Sequence, residues 1–125
     1  MMHIQNPALL PKVRSKALMA AANGQPCSLR IASFVGLSCS GLETVVGCHL
    51  PVIGRGVATK ATDLAVAFGC QTCHDILDGR NQNALAVIRD KYPAAFGFRL
   101  LDALVETQAR LVGMGLLTVD GMEVR

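Results

Sequence analysis

The stretch Gly69–Arg80, G-C-Q-T-C-H-D-I-L-D-G-R, decides the fold of this 125-residue chain. It contains Cys70-x-x-Cys73-His74, in which two thiols share one tight turn and an imidazole follows directly. Zn²⁺ prefers four thiolate or imidazole ligands at tetrahedral corners, and a Cys-x-x-Cys turn supplies two of them. The same letters can also attach a c-type haem or form a redox dithiol. The remaining residues have to distinguish these three chemistries.

The chain has five cysteines, and their distribution favours structural zinc. Cys27 and Cys39 precede the Cys70 and Cys73 turn and can close a four-thiolate shell. An odd number argues against a disulfide framework, and the N-terminal region lacks the export signal that haem attachment would require. A redox dithiol usually lies in a βαβ unit, which this pattern does not predict. Free thiols remain the alternative, and Cys48 is expected to be a core residue.

Composition predicts one domain with a modest hydrophobic core. Apolar residues make up 51% of the chain, but there are four Phe, one Tyr and no Trp, so a structural metal would help to stabilise it. The net charge of +3 is compatible with a polyanionic partner. No apolar run approaches the roughly 20 residues that span a bilayer, so we expect a cytoplasmic protein without membrane contact.

Local patterns predict the elements along the chain. We expect a loose basic arm over residues 1–14 and one domain over residues 15–125. Strands are predicted at 29–34, 43–50 and 64–68, with an exposed basic loop at 52–62. Helices are predicted at 15–22 and about 73–77, and the C-terminal helices at about 83–113, with a break at Pro93. One core-facing stripe is predicted in the last helix, formed by Leu101, Leu104, Val105, Gln108, Leu111 and Val112. This stripe could also pair two chains into a homodimer.

Two histidines and one aspartate suggest a catalytic cleft. His49 ends the second predicted strand, Asp63 precedes the return strand, and His74 begins the helix that follows. A neutral imidazole can take a proton from water, and a second can hold a divalent cation that polarises phosphate oxygens. Together they would suffice for phosphodiester hydrolysis. The alternatives are that His74 replaces a cysteine in the zinc shell and that His49 is a half-buried polar residue.

The runs C-S-L-R-I from Cys27, E-T-V-V-G-C-H-L from Glu43 and D-L-A-V-A-F-G-C-Q-T-C-H-D-I-L-D-G-R from Asp63 resemble the YbcO-type nuclease family of phages and prophages. That family is related to the phage recombination-enhancement nuclease Ref and is placed among the HNH, or His-Me finger, nucleases. The resemblance implies an α+β fold with a zinc-stabilised ββα-metal core at about 43–79, flanked by the C-terminal helices. It also implies a phage- or prophage-encoded protein in a bacterial host.

The resemblance assigns roles to individual residues. It implies that Cys27, Cys39, Cys70 and Cys73 bind structural zinc. It further implies that His49 is the general base, that Asp63 occupies the middle position of the motif and orients the base, and that His74 ligates catalytic Mg²⁺ or Mn²⁺. One position departs from the family pattern, because Cys48 stands where many HNH enzymes have an acidic metal ligand. Asp75 is then a candidate additional ligand, as is Asp63.

The sequence therefore predicts a metal-dependent DNA endonuclease. Contacts to DNA phosphates are expected from basic residues near the cleft, namely Arg14, Lys16, Arg30, Arg55 and Lys60. Recombination proteins are further candidate partners, by resemblance to Ref. The alternative is a catalytically weak or inactive zinc module that binds DNA or a recombination protein, and the departure at Cys48 favours that alternative.

Overall fold

The computed structural model describes residues 10–51 and 61–125, and these form a mixed α+β fold, as predicted. The regular elements, in chain order, are α1 (Lys16–Ala20), β1 (Val46–His49), β2 (Val66–Gly69), α2 (Gln71–Leu77), α3 (Gln82–Lys91) and α4 (Pro93–Gly113). Short 3₁₀ helices cover Ala32–Val35, Leu42–Thr44 and Asp63–Ala65. The predicted strands at 43–50 and 64–68 and the predicted helices therefore form, with boundaries shifted by a few residues.

The two strands make an antiparallel hairpin, with the Cys70–Cys73 turn at one end and His49 at the other. Val46 pairs with Gly69 at one end of the hairpin, and His49 pairs with Val66 at the other. Cys70 follows β2 directly, so the hairpin carries the cysteine turn at one end and His49 at the opposite end. A Cβ added at Gly69 would collide with the Leu29 side chain and would lie 2.8 Å from Cys48 Sγ, so any larger residue where β2 enters the turn would force these side chains to shift.

The long helix α4 covers β2 through small side chains. Its buried residues include Ala103, Thr107 and Leu111, and Thr107 Oγ1 accepts a 3.1 Å hydrogen bond from the backbone N–H of Phe68. The predicted core stripe is therefore partly wrong, because Leu101 and Val105 are 56% and 58% exposed. Alanine and threonine let the helix backbone approach the strand closely, and Leu101 and Val105 lie on the part of the helix that faces solvent.

The predicted strand at residues 29–34 is also wrong. The N–H groups of Ser28 and Leu29 both donate to the carbonyl of Phe68, at 2.7 and 3.1 Å. Arg30 then adopts a positive φ of 44°, which turns the chain away from β2. Ala32–Val35 continues as a 3₁₀ helix. A left-handed residue cannot continue a ladder of strand hydrogen bonds, so the apolar run becomes a buried loop.

Parts of two predictions lie outside the described residues, namely positions 1–9 of the N-terminal arm and positions 52–60 of the basic loop. Among the described residues, no helix is both long and apolar enough to cross a membrane.

Candidate functional site

The structure gathers the four cysteines that the sequence singled out. The sulfurs of Cys27, Cys39, Cys70 and Cys73 all lie within 4.8 Å of one another. Cys39 Sγ and Cys73 Sγ are 3.8 Å apart. A tetrahedral zinc ion with Zn–S bonds of about 2.3 Å requires sulfurs separated by about 3.8 Å, so this set of donors fits zinc. Cys39 is exposed and the other three are buried, so the cluster lies just beneath the surface.

Backbone amides around the cluster point at one sulfur. Cys27 Sγ accepts hydrogen bonds from the N–H groups of Arg30 and Cys70, both at 3.4 Å. Arg30, whose N–H makes one of these bonds, is a non-glycine residue with a positive φ of 44°. Ser40 Oγ accepts from the Thr72 amide at 3.2 Å and so ties the Cys39 loop to α2. These contacts hold the Cys27 sulfur and the Cys39 loop in position.

The pKa values of three of these thiols, Cys27, Cys39 and Cys73, are shifted by their neighbours. A hydrogen bond from Cys73 lowers the pKa of Cys27 to about 4, against the effect of burial and with help from the Arg30 and Cys70 amides. Burial and the charges of Cys27 and Cys70 raise the pKa of Cys39 to about 11. The pKa of Cys73 is raised first by its hydrogen bond to Cys27. Several sulfurs therefore cannot ionise together unless a cation compensates their charge, which is the condition for metal binding with proton release.

His49 and Asp63 form a buried pair at the other end of the hairpin. His49 Nε2 lies 2.8 Å from Asp63 Oδ1, and the Asp63 side chain is only 5% exposed. Asp63 Oδ2 accepts a 2.7 Å hydrogen bond from the Ser15 amide. Burial raises the pKa of Asp63, but the Ser15 amide and His49 outweigh burial, so this pKa is lower than usual. An ionised Asp63 accepts from His49 Nε2–H, which places the lone pair of a neutral His49 on Nδ1.

A cleft with basic walls opens at this pair. The cavity has a volume of about 570 Å³ and is lined by Arg14, Ser15, Lys16, Met19, His49 and Asp63. Arg14 and Lys16 are exposed. Because hydrogen bonds join Ser15 to Asp63 and Val13 to both Thr62 and Asp63, this basic segment is held beside the histidine. The structure thus brings four of the predicted site residues into one cavity.

His74 pairs with Asp78, a residue that the sequence did not single out. Its Nε2 lies 2.9 Å from Asp78 Oδ2, one turn further along the helix. Asp75 instead accepts hydrogen bonds from Gln71 Nε2 at 2.8 Å and from Arg80 at 3.2 Å. Across residues 10–51 and 61–125, the four cysteines are the one group of three or more potential ligands drawn together closely enough for a metal. His74 is thus not part of the cysteine cluster, and it is not among the residues that line the His49 cleft.

Asp78 acts electrostatically on strand β1. Burial raises the pKa of Cys48 to about 12, and the charge of Asp78 is the next contribution. Cys48 therefore stays a neutral thiol in the core and cannot replace the acidic ligand at its position. Sequence reasoning missed Asp78, although its spacing of four residues from His74 on a predicted helix was an available signal.

The remaining predicted DNA contacts divide into two groups. Arg30 makes a bidentate contact with Glu106, at 2.6 and 3.0 Å, so its guanidinium is engaged within the protein. Arg55 and Lys60 lie outside the described residues.

The family model described as Putative nuclease YbcO matches residues 16–115, which include the cysteine cluster, the His49–Asp63 pair and the His74–Asp78 pair. No curated protein and no solved structure matches the chain.

Proposed function

Because the chain belongs to the family Putative nuclease YbcO, we propose that it is a metal-dependent endonuclease that hydrolyses phosphodiester bonds in DNA. The observation that carries this proposal is the His49–Asp63 pair, which lies in a cleft with Arg14 and Lys16. An imidazole held by a buried carboxylate is a general base of fixed tautomer, and two cations beside it provide a binding surface for phosphates.

In the proposed mechanism, a neutral His49 accepts the proton of the attacking water. Asp63 keeps the ring oriented and stabilises the imidazolium that forms, since its low pKa keeps it ionised at neutral pH. Arg14 and Lys16 hold the phosphates that flank the scissile bond. The cysteine cluster has no role in proton transfer, and it holds the hairpin and α2 in place.

The proposed site for the catalytic cation is the His74–Asp78 pair. Two adjacent ligands of an octahedral ion with bonds of about 2.1 Å lie about 3.0 Å apart, and His74 Nε2 and Asp78 Oδ2 are separated by 2.9 Å. Mg²⁺ or Mn²⁺ held by this pair would supply positive charge to a phosphate oxygen of bound DNA. Asp78 then provides the carboxylate that Cys48 lacks. A strand ending in His49 and a helix carrying His74 on the same hairpin unit support an HNH-like, or His-Me finger, arrangement.

The first test is nicking of supercoiled plasmid and cleavage of single-stranded DNA, with Mg²⁺ or Mn²⁺ added to zinc-loaded protein. We expect His49→Ala to lower the rate by about 10² to 10⁴, the usual contribution of a general base. Asp78→Asn should raise the Mg²⁺ or Mn²⁺ concentration needed for half-maximal rate. Asp120→Asn, which changes an exposed aspartate in the C-terminal tail, is the matched control. Wild-type rates in His49→Ala would remove His49 from the mechanism.

DNA binding without added Mg²⁺ or Mn²⁺ tests the basic wall. Each phosphate contact contributes about 0.9 to the slope of log affinity against log salt for duplex DNA, so Arg14→Ala and Lys16→Ala should each reduce that slope by nearly one. Arg125→Ala is the matched control, because this arginine is 85% exposed and pairs with Glu123. Salt-sensitive binding with no cleavage under any divalent ion would instead identify a non-catalytic DNA-binding module, which the buried neutral Cys48 favours.

A further inference from the structure

A second, apolar groove lies away from the His49 cleft. It has a volume of about 420 Å³ and runs between α3 and the segment that leads to Cys39. Its walls include the aromatic rings of Phe34 and Tyr92 and the aliphatic side chains of Leu37 and Val87. Tyr92, Leu37 and Val87 are each about two-fifths exposed, so apolar surface stays in contact with water there.

The groove also carries polar groups at its edge. Asn83 and Lys91 both line it. An amide offers both hydrogen-bond donors and an acceptor, and an ammonium group attracts phosphate. An apolar wall, one amide and one ammonium group together match a nucleotide, whose base is planar with polar edges and whose phosphate is anionic.

The geometry of the two rings limits how a base can enter. The ring centroids of Phe34 and Tyr92 are 5.3 Å apart with an interplanar angle of 30°. A base sandwiched between two rings needs about 7 Å, twice a carbon contact distance of about 3.5 Å. A base therefore cannot intercalate between them and has to stack on the exposed face of Tyr92. Phe34 supports Tyr92 from behind.

We propose that this groove binds an unpaired nucleobase against Tyr92, with the adjoining phosphate at Lys91. A base inside a duplex presents only its edges, so its face is available to Tyr92 only in single-stranded or locally opened DNA. Taken with the proposed nuclease function, on which this step rests, the groove makes DNA with unpaired bases the preferred substrate. Base binding itself does not depend on cleavage.

Tyrosine fluorescence gives a direct test, because Tyr92 is the only tyrosine of the chain and there is no tryptophan. Zinc-loaded protein without added Mg²⁺ or Mn²⁺ is titrated with a short oligothymidylate and, separately, with a blunt duplex. We expect saturable quenching by the single strand and much weaker quenching by the duplex. Free tyrosinamide, titrated in parallel, corrects for absorption of light by the DNA. Quenching that rises with protein concentration alone would identify self-association instead and would overturn the proposal.

Variants identify the ring by an independent measurement, the anisotropy of a labelled single strand. Tyr92→Ala should weaken binding about fivefold or more, since stacking on an aromatic ring contributes at least that factor. Tyr92→Phe should keep wild-type affinity. Phe98→Ala is the matched control, because Phe98 is a 69% exposed aromatic residue on α4 that does not line the groove. If Tyr92→Ala does not fold, Lys91→Glu replaces it and should weaken binding.

The outcomes separate this inference from the nuclease proposal. His49-dependent cleavage without quenching of Tyr92 would overturn the base site and leave the nuclease standing. Saturable, Tyr92-dependent binding in a protein that cleaves no DNA would support the base site and refute the nuclease. Equal affinity of wild type and Tyr92→Ala for the single strand, in folded proteins, would refute the base site directly.

Discussion

Zinc binding by the four-cysteine cluster can be tested by comparing Cys70 with Cys48, because only Cys70 belongs to the cluster. Cys70 and Cys48 are both buried, with at most 1% exposure, and they lie on either side of Gly69 in the packed hairpin. Cys70 belongs to the four-sulfur cluster and Cys48 does not. Changing each to serine removes one buried sulfur in both cases, but only Cys70→Ser removes a ligand.

The magnitudes expected for the two variants differ clearly. Zinc bound by a small domain contributes about 10–16 kcal/mol, so one of four ligands corresponds to about 3–4 kcal/mol. Cys48 Sγ makes only weak contacts, 3.5 Å to the Val46 carbonyl and 3.9 Å to that of Gly69. Burying a hydroxyl there should cost about 1–2 kcal/mol. Cys70→Ser carries a similar hydroxyl cost, so the two variants should differ by the ligand contribution of about 3–4 kcal/mol, which corresponds to roughly 12–16 °C in melting temperature for a domain of this size.

The assay combines elemental analysis with thermal unfolding. Wild type and Cys48→Ser should each retain one tightly bound zinc per chain, whereas Cys70→Ser should lose most of its zinc and melt well below Cys48→Ser. If both variants keep one zinc and melt together, the four sulfurs do not form the metal site that their spacing indicates.

Three further predictions concern stability. Leu111→Ala should destabilise the protein by about 2–5 kcal/mol, because Leu111 is 2% exposed. Leu101→Ala should cost less than about 1 kcal/mol, because Leu101 is 56% exposed. Denaturant unfolding would measure both free energies, and equal losses would contradict this orientation of α4. Gly69→Ala should lower the free energy of unfolding by about 1–3 kcal/mol in the same measurement, since its Cβ would crowd Cys48 Sγ. A stabilised variant would show that the hairpin can rearrange to accept the added Cβ. The low pKa of Asp63 stabilises the fold at pH values above 3.8, the ordinary pKa of this group, and this contribution is lost as pH falls through the pKa of the folded state. The difference in unfolding free energy between wild type and Asp63→Asn should therefore shrink below about pH 3.8. A difference that stays constant with pH would contradict the lowered pKa of Asp63.

The features predicted correctly from sequence depend on short-range signals. The cysteine spacing identified all four sulfurs of the cluster, because Cys-x-x-Cys forces two thiols onto one turn and zinc chemistry limits what can complete the shell. Alternation in the run before Pro51 and the apolar run after Asp63 indicated the hairpin, and it forms at Val46–His49 and Val66–Gly69.

The features missed depend on contacts between distant segments. Residues 29–34 have strand composition, but Ser28 and Leu29 bond to a single carbonyl and Arg30 turns towards the Cys27 sulfur. The orientation of α4 follows from Thr107 meeting Phe68, a contact that helical periodicity alone does not specify. The partner of His74, Asp78, is a local contact four residues along the chain, whereas the sequence pattern singled out Asp75 and Asp63 as the carboxylates.

The anchoring of Ser15 by Asp63 has a practical consequence for choosing the ends of an expressed fragment. The match to the family begins at Lys16, one residue after this anchor. A fragment trimmed to the matched span would lose the amide that satisfies Asp63 Oδ2 and the 2.8 Å bond from the Asp63 amide to the Val13 carbonyl, and Arg14 would go with them. If such a fragment proved inactive, the cause would be the lost hydrogen bonds of Asp63 and the missing Arg14. Recombinant versions should therefore start upstream of Val13.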